Sequence, residues 1–240
     1  MCTILFSYRQ HEETPLILLA NRDEFYERPT QKAGRWDDAP GVFAGRDMVA
    51  KGTWLGVTDS GKIAAVTNYR EPGQEKGTRS RGRLVSDFLT SDTSTREYLE
   101  KIERSAGDYS GFNLLVGELN NGTTSLFYFS NRGNGIRELG PGLYGISNHL
   151  LDTPWPKVER GKARLKEVID DGFQKEDLFG VLTDRTLAED EDLPDTGVGY
   201  IKEKILSPIF IETPIYGTRS STIVTYSDNK GMELEERVHV

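Results

Sequence analysis

The run Leu16-Ile17-Leu18-Leu19-Ala20, closed by Asn21, constrains the fold most. Five apolar residues in a row, without polar alternation, describe a strand buried on both faces. A short β-branched and aromatic run at 3–8 precedes it across the polar turn RQHEETP, so the chain is expected to open with a β-hairpin. The pattern returns at 53–57 and 63–68 around the turn DSGK, whose Asp-Ser-Gly tolerates positive φ. A third hairpin is read at 112–119 and 124–130 around Asn120-Asn121-Gly122, a shorter strand at 143–147, and a closing hairpin at 215–226 and 232–240.

Between these blocks the period changes. Leu84, Val85, Phe88 and Leu89, then Tyr98, Leu99 and Ile102, recur at helical spacing, and Ser94-Thr95-Arg96-Glu97 fits a capping box. These two helices are expected to separate the sheet halves. Pro156 can open a third helix running to about residue 170, and 176–182 a fourth. Hairpins in some blocks and helices in others imply an α+β fold, a four-layer αββα sandwich of two stacked antiparallel sheets. The 240 residues fit one layered domain, and no repeat or linker divides 1–240.

Composition excludes several functions. No window approaches the roughly 18 apolar residues of a membrane-spanning helix, so no integral membrane segment is expected. The first residues lack a basic leader and an apolar h-region, which reads as cytoplasmic. The net charge of −8 and the run AEDEDLPD at 188–195 disfavour a nucleic-acid partner. That acidic stretch continues to Gly199 as a long loop, a candidate lid. KGTRSRGR at 76–83 is the one stretch favouring a phosphate contact, and it reads as a solvated loop leading into a helix. A single cysteine excludes an intramolecular disulfide, and three scattered histidines give no metal-ligand spacing.

The cysteine stands at position 2. Once Met1 is removed, its α-amine lies beside its own thiol. An α-amine with a pKa near 7.7–8.0 can serve as the base for that nucleophile, without a catalytic histidine. Polar residues sit where strands end: Asn21-Arg22-Asp23-Glu24 after the apolar run, Asn68 after the fourth expected strand and Asn148 after the strand at 143–147. Arg219 lies within the first strand of the closing hairpin. Amides at such points can donate to an oxyanion, and an arginine can hold a thiolate or a carboxylate.

Met1-Cys2-Thr3, Ala20-Asn21-Arg22-Asp23-Glu24-Phe25, Gly52-Thr53-Trp54-Leu55-Gly56, Val66-Thr67-Asn68-Tyr69-Arg70, Gly145-Ile146-Ser147-Asn148 and Gly217-Thr218-Arg219-Ser220-Ser221 resemble the NRDE family. This TANGO2-like group is named for transport and Golgi organisation. The resemblance covers almost the whole chain and implies links to secretory-pathway organisation, to lipid metabolism and to haem movement. A more distant similarity is to cysteine-type N-terminal nucleophile hydrolases, including bile salt hydrolases and penicillin V acylases. These share the αββα sandwich, begin with Met-Cys-Thr or a close variant, and carry Arg-Asn-x-Asp at the end of the second strand.

Cys2, Asn68, Asn148 and Arg219 match the hydrolases in order. Without a gap, Asn21, Arg22 and Glu24 fall on the arginine, asparagine and aspartate of their second strand; with one, Arg22 and Asp23 take the arginine and aspartate roles. The implied activity is amide hydrolysis at a linear carbon–nitrogen bond, with no cofactor. Cys2 would be nucleophile, Asn148 and Asn68 oxyanion donors, Arg22 and Arg219 holders of the thiolate or a carboxylate, and Asp23 or Glu24 the group orienting the amine. The alternative is a non-catalytic carrier of haem or an acyl lipid, with Cys2 and His149 as haem ligands. A trafficking adaptor rests on family association alone.

Overall fold

The computed structural model describes residues 2–120 and 123–240. The opening hairpin is β1 (Cys2–Tyr8) and β2 (Leu16–Phe25), paired so that Cys2 faces Arg22 and Tyr8 faces Leu16. β2 does not stop at Asn21. It runs through the whole polar segment to Phe25, and this extension carries the polar side chains beyond the core.

Two strands absent from the expectation follow, β3 (Thr30–Trp36) and β4 (Ala39–Asp47). β3 forms a sheet edge, is largely exposed and pairs with β4 through two register shifts, so neither apolar runs nor strict alternation mark it. β5 (Leu55–Thr58) and β6 (Lys62–Asn68) form the second expected hairpin, and β7 (Phe112–Asn120) and β8 (Thr123–Ser130) the third. Asn121 and Gly122 of its expected turn lie outside the described residues. The remaining strands are β9 (Arg137–Glu138), β10 (Gly142–Ile146), β11 (Tyr216–Ser227) and β12 (Gly231–Val238).

The strands make two antiparallel sheets, one ordered β10-β1-β2-β11-β12 and the other β3 through β9 in sequence. Pleating explains the unbroken apolar run. Leu16, Leu18 and Ala20 point into the core between the sheets with Ile4, Phe6, Ile63 and Leu115, while Ile17 and Leu19 point outward. Each such buried Leu, Ile or Phe side chain contributes about 1.5–3 kcal/mol.

The helices form the outer layers. α1 (Gly82–Leu89) and α2 (Thr95–Arg104) cover the seven-stranded sheet through Leu84, Phe88 and Leu99. They do not separate the sheet halves as expected, because the strands they connect, β6 and β7, are paired neighbours in one sheet. Ser94 caps α2 as anticipated, accepting from the Glu97 N–H. α3 (Pro156–Asp170) and α4 (Lys175–Leu182) cover the five-stranded sheet through Leu165, Leu178 and Leu182 against Ile17 and Leu19. The architecture is the αββα sandwich. A short α5 (Tyr200–Ile205) follows the acidic loop. No helix among the described residues is long and apolar enough to cross a membrane.

Candidate active site

Cys2 begins β1, so its surroundings are whatever the fold gathers at that end of the sandwich. There the end of β2 brings Arg22, Asp23 and Glu24, the end of β6 brings Asn68, and the end of β4 brings Asp47. Thr53 and Trp54 enter just before β5. Together they line a cavity of about 340 Å³ that contains Cys2.

Arg22 shares the Cys2 face of the sheet because the two residues are paired across the β1–β2 ladder. Its guanidinium lies 4.2 Å from the Trp54 ring centre, and the residue is 6% exposed. Burial lowers the Arg22 pKa from its ordinary value, partly offset by Cys2 and Glu24. Its Nη1 has no hydrogen-bond partner among the described residues. Burial pushes the Cys2 thiol up and the Asp23 charge adds to this, while Arg22 and a backbone N–H from Asp23 pull it down.

Asp23 lies on the opposite pleat. Its Oδ1 accepts from the Thr218 hydroxyl at 2.7 Å. Burial raises its pKa, and the Lys157 ammonium, the Thr218 hydrogen bond and Arg22 oppose that rise. Lys157, on the first turn of α3, is 2% exposed, and its hydrogen bond among the described residues goes to the Leu206 carbonyl at 3.1 Å. Burial lowers it to about 8. Behind it, Arg70 and Glu203 form a buried ion pair at 2.5 Å.

The other residues anticipated from sequence divide. Asn68 lines the cavity. Asn148 does not line it. Fully buried, it donates Nδ2 to the Asn68 carbonyl at 2.9 Å and so holds the end of β6 in place. Asn21 faces the helical layer. It donates to the carbonyls of Leu182 and Ile209 at 2.8 and 3.0 Å and accepts from the Ser221 hydroxyl at 2.7 Å. Glu24 lines the cavity and accepts from the Phe25 N–H at 2.9 Å.

Arg219 is displaced from the role expected of it. It occupies a bulge, since Thr218 pairs with Asp23 and Ser220 with Arg22, leaving Arg219 unmatched. Its guanidinium turns to the β2–β3 connection, donating to the carbonyls of Phe25 and Arg28. It lines a neighbouring cavity on the far side of Arg22. His149 and Cys2 also line separate cavities. Both ring nitrogens of His149 are engaged, by Tyr69 at 2.7 Å and Thr153 at 2.8 Å.

The basic stretch read as a solvated loop is a wall of the Cys2 cavity, contributing Lys76, Gly77, Arg79, Ser80, Arg81 and Gly82. Backbone contacts anchor it at both ends. The Gly77 N–H donates to the Ser110 hydroxyl at 2.9 Å, and a Cβ on Gly77 would lie 2.3 Å from the Ser110 nitrogen. The Thr53 N–H donates to the Gly82 carbonyl at 3.2 Å, and a Cβ on Gly52 would meet the Gly82 backbone at 2.5 Å. The acidic loop expected as a lid instead contributes Asp195, Thr196 and Gly197 to the His149 cavity and is tied down by Thr196–Glu203 hydrogen bonds.

Among solved structures, the fold is similar to a Caenorhabditis elegans N-acylethanolamine-hydrolyzing acid amidase ortholog. The TM-score is 0.53 at 12% identity, covering 93% of this chain and 92% of that one. It is also similar to the C2A mutant of a conjugated bile acid hydrolase from Clostridium perfringens, with a TM-score of 0.52 at 8% identity, covering 100% and 97%. At these identities the likeness establishes the N-terminal nucleophile hydrolase fold alone. By sequence, the chain is 37% identical to a mouse Transport and Golgi organization 2 homolog, over 99% of this chain and 92% of that protein. It is 36% identical to the human homolog over the same shares, and 27% to the Drosophila melanogaster protein over 98% and 92%. The family model for Transport and Golgi organisation 2 matches residues 1–239, and the chain belongs to that family.

Proposed function

We propose that this protein is a cysteine-dependent N-terminal nucleophile amidohydrolase acting on linear carbon–nitrogen bonds. The observation that carries the reading is Cys2 at the start of β1, in a cavity that also presents a buried Arg22 whose Nη1 has no partner among the described residues, and Asn68.

With Met1 removed, the Cys2 sulphur bonds to the amide carbonyl carbon while its α-amine takes the thiol proton. The carbonyl electron pair moves to oxygen, where Asn68 donates a hydrogen bond. Collapse of the adduct re-forms the carbonyl and breaks the carbon–nitrogen bond, and the α-ammonium gives its proton to the departing amine. Water then attacks the thioester, with the same amine taking and returning a proton, to release a carboxylic acid and restore the thiol. Arg22 stabilises the thiolate, and Asp23 orients the amine from below. Asn148 acts through the Asn68 backbone as a positioning residue.

The test is amine release from a panel of N-acyl amides. Turnover that falls to background in Cys2→Ala, and is partly retained in Cys2→Ser, supports the reading. Hydrolysis undiminished in Cys2→Ala overturns it.

A further inference from the structure

The Cys2 cavity is cationic in a chain whose net charge is −8. Arg22, Arg28, Lys76, Arg79 and Arg81 line it, against Asp23, Glu24 and Asp47. The acids are already engaged: Asp47 with Arg28 at 2.6 Å, Asp23 with Thr218, and Glu24 with the Phe25 N–H. Several cations are not. Arg22 keeps a buried Nη1 without a partner among the described residues, and Lys76 has no ion pair among them. Arg81 gives one N–H to the Gly111 carbonyl at 3.0 Å and has no ion pair among the described residues, whereas Arg79 is loosely paired with Asp108 at 3.9 Å and lies over the Tyr109 ring.

A buried guanidinium nitrogen left without a hydrogen bond costs free energy that a bound acceptor recovers. The wall supplying the other cations is built to stay in place. A Cβ on Gly77 would meet the Ser110 backbone at 2.3 Å and one on Gly52 would meet the Gly82 backbone at 2.5 Å, and the Arg79 N–H donates to the Asp108 carbonyl at 3.1 Å. Lys76 and Arg79 are exposed at the mouth, where their field reaches an approaching anion. Arg81 lies deeper, and Arg22 beside the thiol.

We propose that the cavity selects amides bearing an acidic group, which the 76–82 wall draws in and Arg22 and Arg81 hold beside Cys2. The turnover part of this inference rests on the hydrolytic reading; the binding part does not. A carboxylate and a phosphate share the recognised chemistry of anionic oxygens around a guanidinium.

The experiment uses three probes with one acyl chain: N-hexanoylglycine, N-hexanoyl-O-phosphoethanolamine and the neutral N-hexanoylethanolamine. Equilibrium binding is measured calorimetrically on the full-length Cys2→Ala protein, alone and combined with Lys76→Gln, Arg79→Gln or Arg81→Gln. At least one acidic probe is expected to bind tenfold or more tightly than the neutral one. The better of the two identifies the acidic group. The preference should weaken with added salt and in each glutamine variant, most in Arg81→Gln. Lys76→Gln and Arg79→Gln alter exposed side chains, so a loss there cannot be ascribed to misfolding. Equal binding of acidic and neutral probes, failure of all three to bind, or a preference indifferent to all three glutamine substitutions overturns the proposal. Acid-selective binding by a wild-type protein that hydrolyses nothing would sink the hydrolytic reading and leave this one standing. Hydrolysis with no preference for acid would do the reverse.

Discussion

Asn21 and Arg22 are consecutive on β2, yet the pleat sends them into different surroundings. Asn21 enters the layer between sheet and helices, where all its polar atoms find protein partners in Leu182, Ile209 and Ser221. Arg22 enters the cavity with Cys2, where one of its nitrogens finds none among the described residues. Asp23 shares the outward pleat, bonded to the Thr218 hydroxyl, yet still lines the cavity, and Glu24 points inward. Two neighbouring polar residues therefore divide between holding the scaffold and serving the site. Saturated hydrogen bonding marks the first role and an unfilled donor the second.

Perturbations on the scaffold side should cost stability. The largest effect is expected from Glu203→Ala, which leaves Arg70 buried without its anion. About 3–5 kcal/mol should be lost in urea unfolding. On the cavity side, Asn68→Ala should lower kcat about 10²–10³-fold while leaving the unfolding midpoint nearly unchanged. If its stability falls and its kcat per folded molecule does not, Asn68 belongs with Asn21 instead. Asn21→Leu strands two carbonyls and a hydroxyl and should cost about 2–3 kcal/mol, with the remaining folded protein keeping its kcat.

The most gradual effect, at most about 1.4 kcal/mol per pH unit, concerns Lys157, whose pKa falls from 10.5 to about 8 on folding. Between these values the unfolded chain binds more protons, so this group's contribution to stability rises with pH. Below about pH 8 its full penalty is present. Lys157→Met should therefore gain most relative to wild type at pH 7, with the gap closing towards pH 10.5. A gap that widens with rising pH would show the opposite coupling.

How much of this could be read from sequence follows the range of the interactions involved. The apolar run at 16–20, the Ser94 cap and the hairpin turns are local signals, and each element they marked is present. β3 escaped because an exposed edge strand needs no apolar alternation. Cys2, Arg22 and Asn68 were legible because strand ends carried them. The roles of Asn148 and Arg219 were not, since one depends on a carbonyl in another strand and the other on a one-residue bulge. The 76–82 wall looked like a solvated loop because its anchors, Ser110, Gly111 and Gly52, are tens of residues away.

The central claim is that Cys2 acts with its own free α-amine, which requires that Met1 be gone. Intact-mass and N-terminal peptide mass spectrometry of the purified native protein tests this directly. The account predicts a chain that begins at Cys2. Protein that hydrolyses amides while still carrying Met1 would contradict it.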